Sequence, residues 1–200
     1  MSVTFPPIAV GHKTILSWHG YKTSSNVPAE IVAEAQRVAG EVEGLVQPAA
    51  AFRRFRIESA TEGVVALEGG WTFESQTVAR LVSDASHAAV FVATIGGRLE
   101  ERVSELFEEG EGLAAVLLDA AGTVALHRVV RVLRMTLLRE AEAVGCRLTG
   151  RAAPGYGDWE IEDQPVLFRA LGDQPLPVSL NESGVMVPKK SLSGLIGLVP

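Results

Sequence analysis

Arg151, Ala152, Ala153, Pro154, Gly155 and Tyr156 bring a fixed fork of hydrogen-bond donors, a stiff turn and an aromatic ring together within six consecutive residues. A guanidinium can hold a carboxylate through two parallel N–H···O bonds, and a Pro-Gly pair lets the backbone approach a flat base closely. A tyrosine offers its ring face or its hydroxyl to a cationic or aromatic group. Such a loop suits a ligand that carries an amino acid. S-adenosylmethionine has all three matching features: a carboxylate, a sulfonium and an adenine. A turn with a structural arginine has the same spacing, and the residues by themselves leave both readings open.

Other chemistries find less support. His12, His19, His87 and His127 lack the spacing of a zinc site. Cys146, the one cysteine, cannot close an intrachain disulfide or supply the thiolates of a zinc or iron–sulfur centre, so a reducing, cytoplasmic setting is expected. Asp84-Ala85-Ser86-His87 is one residue too long for the Asp-x-His-x-x-Gly string found beneath cobalamin, so the chain is expected to hold no corrinoid of its own. Residues 184 to 191 nearly spell a phosphate loop. Lys189, however, stands at the glycine position before Lys190, and Pro188 removes a backbone donor. Thr94-Ile95-Gly96-Gly97 lacks the third glycine of a dinucleotide fingerprint, and no Gly-x-Ser-x-Gly elbow occurs.

The chain that must position these residues has 200 of them, 47% hydrophobic and 21% charged, with a net charge of −6. These values predict one folded domain over 1–200 and argue against a nucleic-acid partner, which would need clustered Lys and Arg. The first 13 residues lack a basic region followed by an apolar core, and no run reaches about 18 apolar residues, so neither a signal peptide nor a membrane partner is expected. A helix is predicted behind Asn26 and Pro28, with Ile31, Val32, Ala35, Val38, Val42, Leu45 and Val46 at helical spacing up to Pro48. Two strands follow within 52–68, then a short helix over 75–83 and a buried strand over 88–95. An amphipathic helix is predicted over 98–111 and the longest helix over 113–144, nicked at Gly122. After Gly150 the texture is one of loops and short elements: a brief helix over 165–171, a strand over 178–180, then residues 186 to the end. Strands and helices in irregular order indicate an α+β fold.

Two charged stretches stand out. Residues 98–111 carry six Glu against two Arg, which reads as a solvated helix face or as a docking surface for a basic partner. Arg128, Arg131 and Arg134 read as an exposed stripe on the long helix or as a second docking element.

Residues 151 to 156 have the form Arg-x-x-x-Gly-Tyr. They continue into Gly157-Asp158-Trp159, Gln164, Leu167-Phe168, Leu180-Asn181-Glu182-Ser183 and the run from Met186 through Ser191-Leu192-Ser193-Gly194. In order and approximate spacing this region, 147–198, resembles the activation (reactivation) domain of cobalamin-dependent methionine synthase in its short stand-alone form. Ala93-Thr94-Ile95-Gly96 and Asp119-Ala120-Ala121-Gly122 extend the similarity upstream. Leu195-Ile196-Gly197 stands where the full-length enzymes have an aromatic residue after the second Ser-Gly. Asn181 replaces a Thr, and His127 lies where many stand-alone relatives have an acidic residue.

The resemblance implies a curved α+β domain with a twisted antiparallel sheet flanked by helices. Such a domain binds S-adenosylmethionine and meets cobalamin only through a partner: a cobalamin-binding methionine synthase or another corrinoid protein. Its role there is reductive methylation in methionine biosynthesis. A low-potential donor, flavodoxin or ferredoxin, returns an electron to Co(II), and methyl transfer traps the reduced cobalt. It is an accessory component of a methyltransferase, without catalytic residues of its own and without a metal site. By resemblance Arg151 takes the ligand carboxylate, Ala153, Pro154 and Gly155 line the adenine or ribose, and Tyr156 sits beside the ligand. Ser191, Ser193 and Gly194 form a facing loop. The alternatives are an activator of another corrinoid methyltransferase and a non-catalytic interaction domain of the same fold.

Overall fold

The structure is a computed structural model that describes residues 3–21, 27–173 and 175–200. In chain order it forms α1 (His12–Trp18), α2 (Ala29–Leu45), β1 (Ala49–Thr61), β2 (Val64–Leu67), β3 (Trp71–Glu74), α3 (Gln76–Leu81), β4 (His87–Thr94) and α4 (Arg98–Glu108). Then come α5 (Gly112–Glu142), β5 (Arg147–Ala152), α6 (Gln164–Leu171), β6 (Ser179–Leu180), β7 (Met186–Val187) and β8 (Ser191–Val199). Asn26, the expected cap residue of the first predicted helix, lies outside the described residues. Pro28 holds the N-cap position of α2 and makes no side-chain cap bond.

Every residue of β4 after His87 is buried, which is possible only for a strand covered on both faces. It runs at the middle of a six-stranded sheet of order β3-β2-β1-β4-β8-β5, in which each adjacent pair is antiparallel. Alternate β4 residues feed two separate cores, as the period-2 geometry of a strand requires. Ala89, Phe91 and Ala93 join Leu118, Leu133 and the rest of the core under α5, while Ala88, Val90 and Val92 join Phe73, Trp159 and Leu167 on the opposite face. The fold is α+β, with helices flanking an open antiparallel sheet.

α5 is long and apolar enough to cross a membrane, but two-thirds of its most apolar window (67%) is buried within the protein. That burial explains its apolar first half. The predicted nick at Gly122 is absent, and α5 runs through it unbroken. Gly122 instead lets α4 close in, since a Cβ there would stand 2.6 Å from Leu99 Cδ2. α4 holds its place by burying Leu99 and Leu106, each contributing roughly 1.5–3 kcal/mol. Its exposed face is self-paired in part, with Arg102 Nη1 3.0 Å from Glu105 and 3.2 Å from Glu109.

Two expectations need correction. Residues 191–199 form one nine-residue strand in the heart of the sheet where short elements were predicted. Gly194 and Gly197 weaken its sequence signal, and both are required by close neighbours: a Cβ on Gly194 would collide with the Ala152 carbonyl, and one on Gly197 would lie 2.9 Å from Thr149 Cγ2. The expected arginine stripe is exposed only in part, at Arg131, while Arg128 and Arg134 are half-buried. Arg128 hydrogen-bonds the Ala9 carbonyl, Arg134 Nη1 donates to the Thr149 carbonyl at 2.8 Å, and Arg131 and Arg134 line a cavity.

Candidate functional site

The chain leaves β5 at Ala152 and folds back on itself at once. Gly155, at φ 83°, donates its amide to the Trp159 carbonyl at 2.7 Å, and the Tyr156 amide donates to the Ala153 carbonyl at 3.2 Å. Two anchors then hold the loop. Trp159 is buried edge-on against Phe73, with ring centroids 5.4 Å apart, and its Nε1 donates to Asp163 Oδ2 at 2.8 Å. The Asp158 carboxylate accepts from Ser75 Oγ at 2.8 Å, from the Gln76 amide at 2.7 Å and from the Thr77 amide at 3.2 Å. Hydrogen bonds from Thr77, Ser75 and the neighbouring backbone hold that carboxyl far below the usual carboxylate range. With its base fixed in this way, the loop presents Tyr156 at its tip, 72% exposed.

Below Tyr156 lies a cavity of about 210 Å³ lined by Ala153, Pro154, Gln164, Ser191 and Ser193, with Lys189 at its wall. Gln164 is buried and spans it: its Oε1 accepts from Ser193 Oγ at 2.9 Å, and its Nε2 donates to the Gly184 carbonyl at 2.5 Å. Ser191 Oγ lies 2.7 Å from the Pro188 carbonyl and 2.8 Å from Thr94 Oγ1. The Gln164, Ser191 and Ser193 side chains are thus each oriented by hydrogen bonds within the protein. A second cavity, about 220 Å³, shares Ala153, Tyr156 and Leu192 with the first and adds Thr77, Trp159 and Arg151. Arg151 also borders a third cavity, of about 380 Å³, against α5.

The structure therefore brings Ala153, Pro154, Tyr156, Ser191 and Ser193 to one cavity and sets Arg151 on the adjoining one. Gly155 lines neither and serves as the turn behind Tyr156. Ser191, Ser193 and Gly194 are not a facing loop but the start of β8. Period-2 alternation sends the two hydroxyls to one face, and Gly194 lies against Ala152 and, at 3.2 Å from a built Cβ, the Phe91 ring. The sequence assigns Gln164 no role, and its one signal is a polar residue directly before Pro165 at a helix start. Leu192 and Lys189 carried no signal of their own. Leu195, which stands where the full-length enzymes have an aromatic residue, is buried in the core, and Leu192 is the apolar side chain of β8 that borders both cavities. Among the described residues no three His, Cys, Asp or Glu side chains come together as a metal site.

What the fold and the site define is an α+β domain with an open antiparallel sheet and a cleft along its β5 edge, roofed by a pinned aromatic loop. Among solved structures the chain is similar to the MetH reactivation domain bound to AdoHcy, with a TM-score of 0.59 and 14% sequence identity over 97% of this chain and 81% of that one. At this identity the likeness is one of fold. No protein-family model and no curated protein matches the chain.

Proposed function

We propose that this protein is an S-adenosylmethionine-binding domain of the reactivation type, serving a separate cobalamin-dependent methionine synthase in the cytoplasm. The observation that carries this reading is the loop of residues 151 to 156, pinned through Trp159 and Asp158 over a cleft, in a fold shared with a domain solved with AdoHcy. The two adjoining cavities together exceed the roughly 300 Å³ at which small-molecule sites begin. Adenosine lies between Ala153, Pro154 and Leu192 under the Tyr156 ring, with the Gln164 and Ser193 polar groups beneath it. The amino-acid end extends toward Arg151, whose guanidinium takes the carboxylate.

Bound S-adenosylmethionine supplies the methyl group that traps reduced cobalt on the partner. This chain binds the donor, orients it and shields it from water, so it needs no general base. The electron comes from a low-potential donor such as flavodoxin or ferredoxin. The test is to mix the protein with a methionine synthase held as cob(II)alamin, a low-potential donor and S-adenosylmethionine, and to follow methylcobalamin by absorbance. Methylation dependent on this protein supports the reading, and methylation equally fast without it overturns it. Activity only with a different corrinoid protein would make the chain an activator of that methyltransferase. A folded protein that ignores the ligand would be a non-catalytic interaction domain of the same fold.

A further inference from the structure

Lys190 lies between α4 and α5. Its backbone N–H donates to the Glu100 carboxylate of α4, and its Nζ stands 2.9 Å from both Asp119 Oδ1 and Thr123 Oγ1 of α5. One end of the groove between the two helices thus already holds a cation of this chain, with only 17% of the lysine side chain exposed. Phe107 comes seven residues after Glu100, and Val116 seven residues before Thr123, which places both two turns along the face of each helix that meets Lys190. Leu113 follows one turn further toward the Gly110 turn. These three side chains are 55%, 45% and 46% exposed in that order, so the groove that is filled at Lys190 is uncovered at Phe107, Val116 and Leu113. The turn is fixed: Glu111 donates its amide to the Leu106 carbonyl at 2.8 Å, and Gly110 donates to the Phe107 carbonyl at 3.2 Å.

We propose that the open end of the α4–α5 groove docks a basic amphipathic segment of a partner protein, its apolar side chains on Phe107, Leu113 and Val116 and its Lys or Arg side chains toward Glu101 and Glu108. Both glutamates are exposed on α4, and among the described residues neither makes an ion pair. The occupant must therefore bring apolar surface and positive charge together, as Lys190 brings its charge to Glu100 and Asp119. The carboxylates repel nucleic acid and anionic membrane surfaces, and a second copy of this chain carries the same net charge of −6. An apolar centre with a charged rim is the anatomy of a protein interface, in which the charges set approach and orientation.

None of Phe107, Leu113 and Val116 lines the cavities around Tyr156 and Arg151. A partner seated here leaves the cleft open, so it can hold this chain while the cleft is in use.

The experiment titrates the full isotope-labelled chain with a synthetic helical peptide of Leu, Lys and Ala and follows the backbone amides by NMR. Saturable shifts are expected over residues 101–119 and the adjoining 188–190, with affinity that falls as sodium chloride is added. A peptide with Glu in place of Lys should not bind, and one with Ser in place of Leu should bind at least about tenfold more weakly. Phe107→Ser should weaken the Leu-Lys-Ala peptide by about tenfold while leaving S-adenosylmethionine affinity within about twofold. Val116→Ser, also at an exposed position, is the second variant and should act in the same direction. Absence of saturable binding, shifts scattered over other acidic faces, equal binding of the Ser-for-Leu peptide, or undiminished binding in both serine variants each overturns the proposal. Peptide binding by a protein that ignores S-adenosylmethionine supports this surface while overturning the function proposed above.

Discussion

Arg151 stands directly opposite Ile196 in the β5–β8 ladder, and Ile196 belongs to the core under α5. Cross-strand partners project to the same face, so the guanidinium starts on the side of the sheet where His127 lies. The Ser193 hydroxyl, bonded to Gln164, starts on the other. Arg151 also borders the second cavity, beside Tyr156 at the edge of the sheet. Because Arg151 lowers the His127 pKa, Arg151→Gln should move it back toward the ordinary imidazole range without restoring it fully, since burial is the larger cause. An NMR titration of the His127 ring measures this. An unchanged midpoint would mean that the two side chains do not sense each other.

Gln164 joins Ser193 to the Gly184 carbonyl beneath the first cavity. Gln164→Leu strands a hydroxyl and a carbonyl in a buried place and should cost about 1–3 kcal/mol. At this chain length that is a fall of roughly 2–4 °C in Tm per kcal/mol. Thermal unfolding followed by circular dichroism reads it directly, and a variant as stable as wild type would show the amide to be dispensable.

The Asp158 carboxyl has a folded-state pKa far below its unfolded one. Its stabilisation is fully present above the unfolded value of about 3.9 and is lost as pH falls through the folded value. The stability gap between wild type and Asp158→Asn should accordingly be level from pH 7 to about 5 and shrink steadily below about pH 4. Urea midpoints measured across that range give the gap, and one that does not change with pH would contradict the anchoring role.

Gly194→Ala forces a methyl against the Ala152 carbonyl and the Phe91 ring, so β5 and β8 must separate locally. Overpacking of this kind costs about 1–3 kcal/mol. Because Ala152 leads into the Tyr156 loop, ligand affinity should fall together with stability. Denaturant unfolding and calorimetry on the same sample test both, and loss of stability with full affinity would disconnect the ladder from the site.

Long periodic elements were legible in the sequence: α2, α4 and α5 rest on helical spacing, and the apolar run of β4 stood out. α1 and β3 are seven and four residues long, too short to show a period, and tertiary contacts decide them. β8 was hidden because glycines dilute its strand signal, and the reason for those glycines lies in Ala152, Phe91 and Thr149, far away in the chain. At the site, the consecutive residues 151 to 156 could be found as a unit. The role of Gln164 and the gathering of Arg131, Arg134 and Arg151 depend on which sheet face each element covers, and local spacing does not encode that.

The central claim is that the cleft beside Tyr156 takes S-adenosylmethionine with its carboxylate on Arg151. Calorimetric titration of the ligand into wild type and Arg151→Ala tests it most directly. Wild type should bind saturably, and ligand at about 100 times its Kd should add roughly 2.7 kcal/mol of apparent stability. The variant should remain folded and bind roughly 30- to 150-fold more weakly, the loss of a charged fork worth about 2–3 kcal/mol. No binding at millimolar ligand by folded wild-type protein, or equal affinity in the two proteins, would contradict the account.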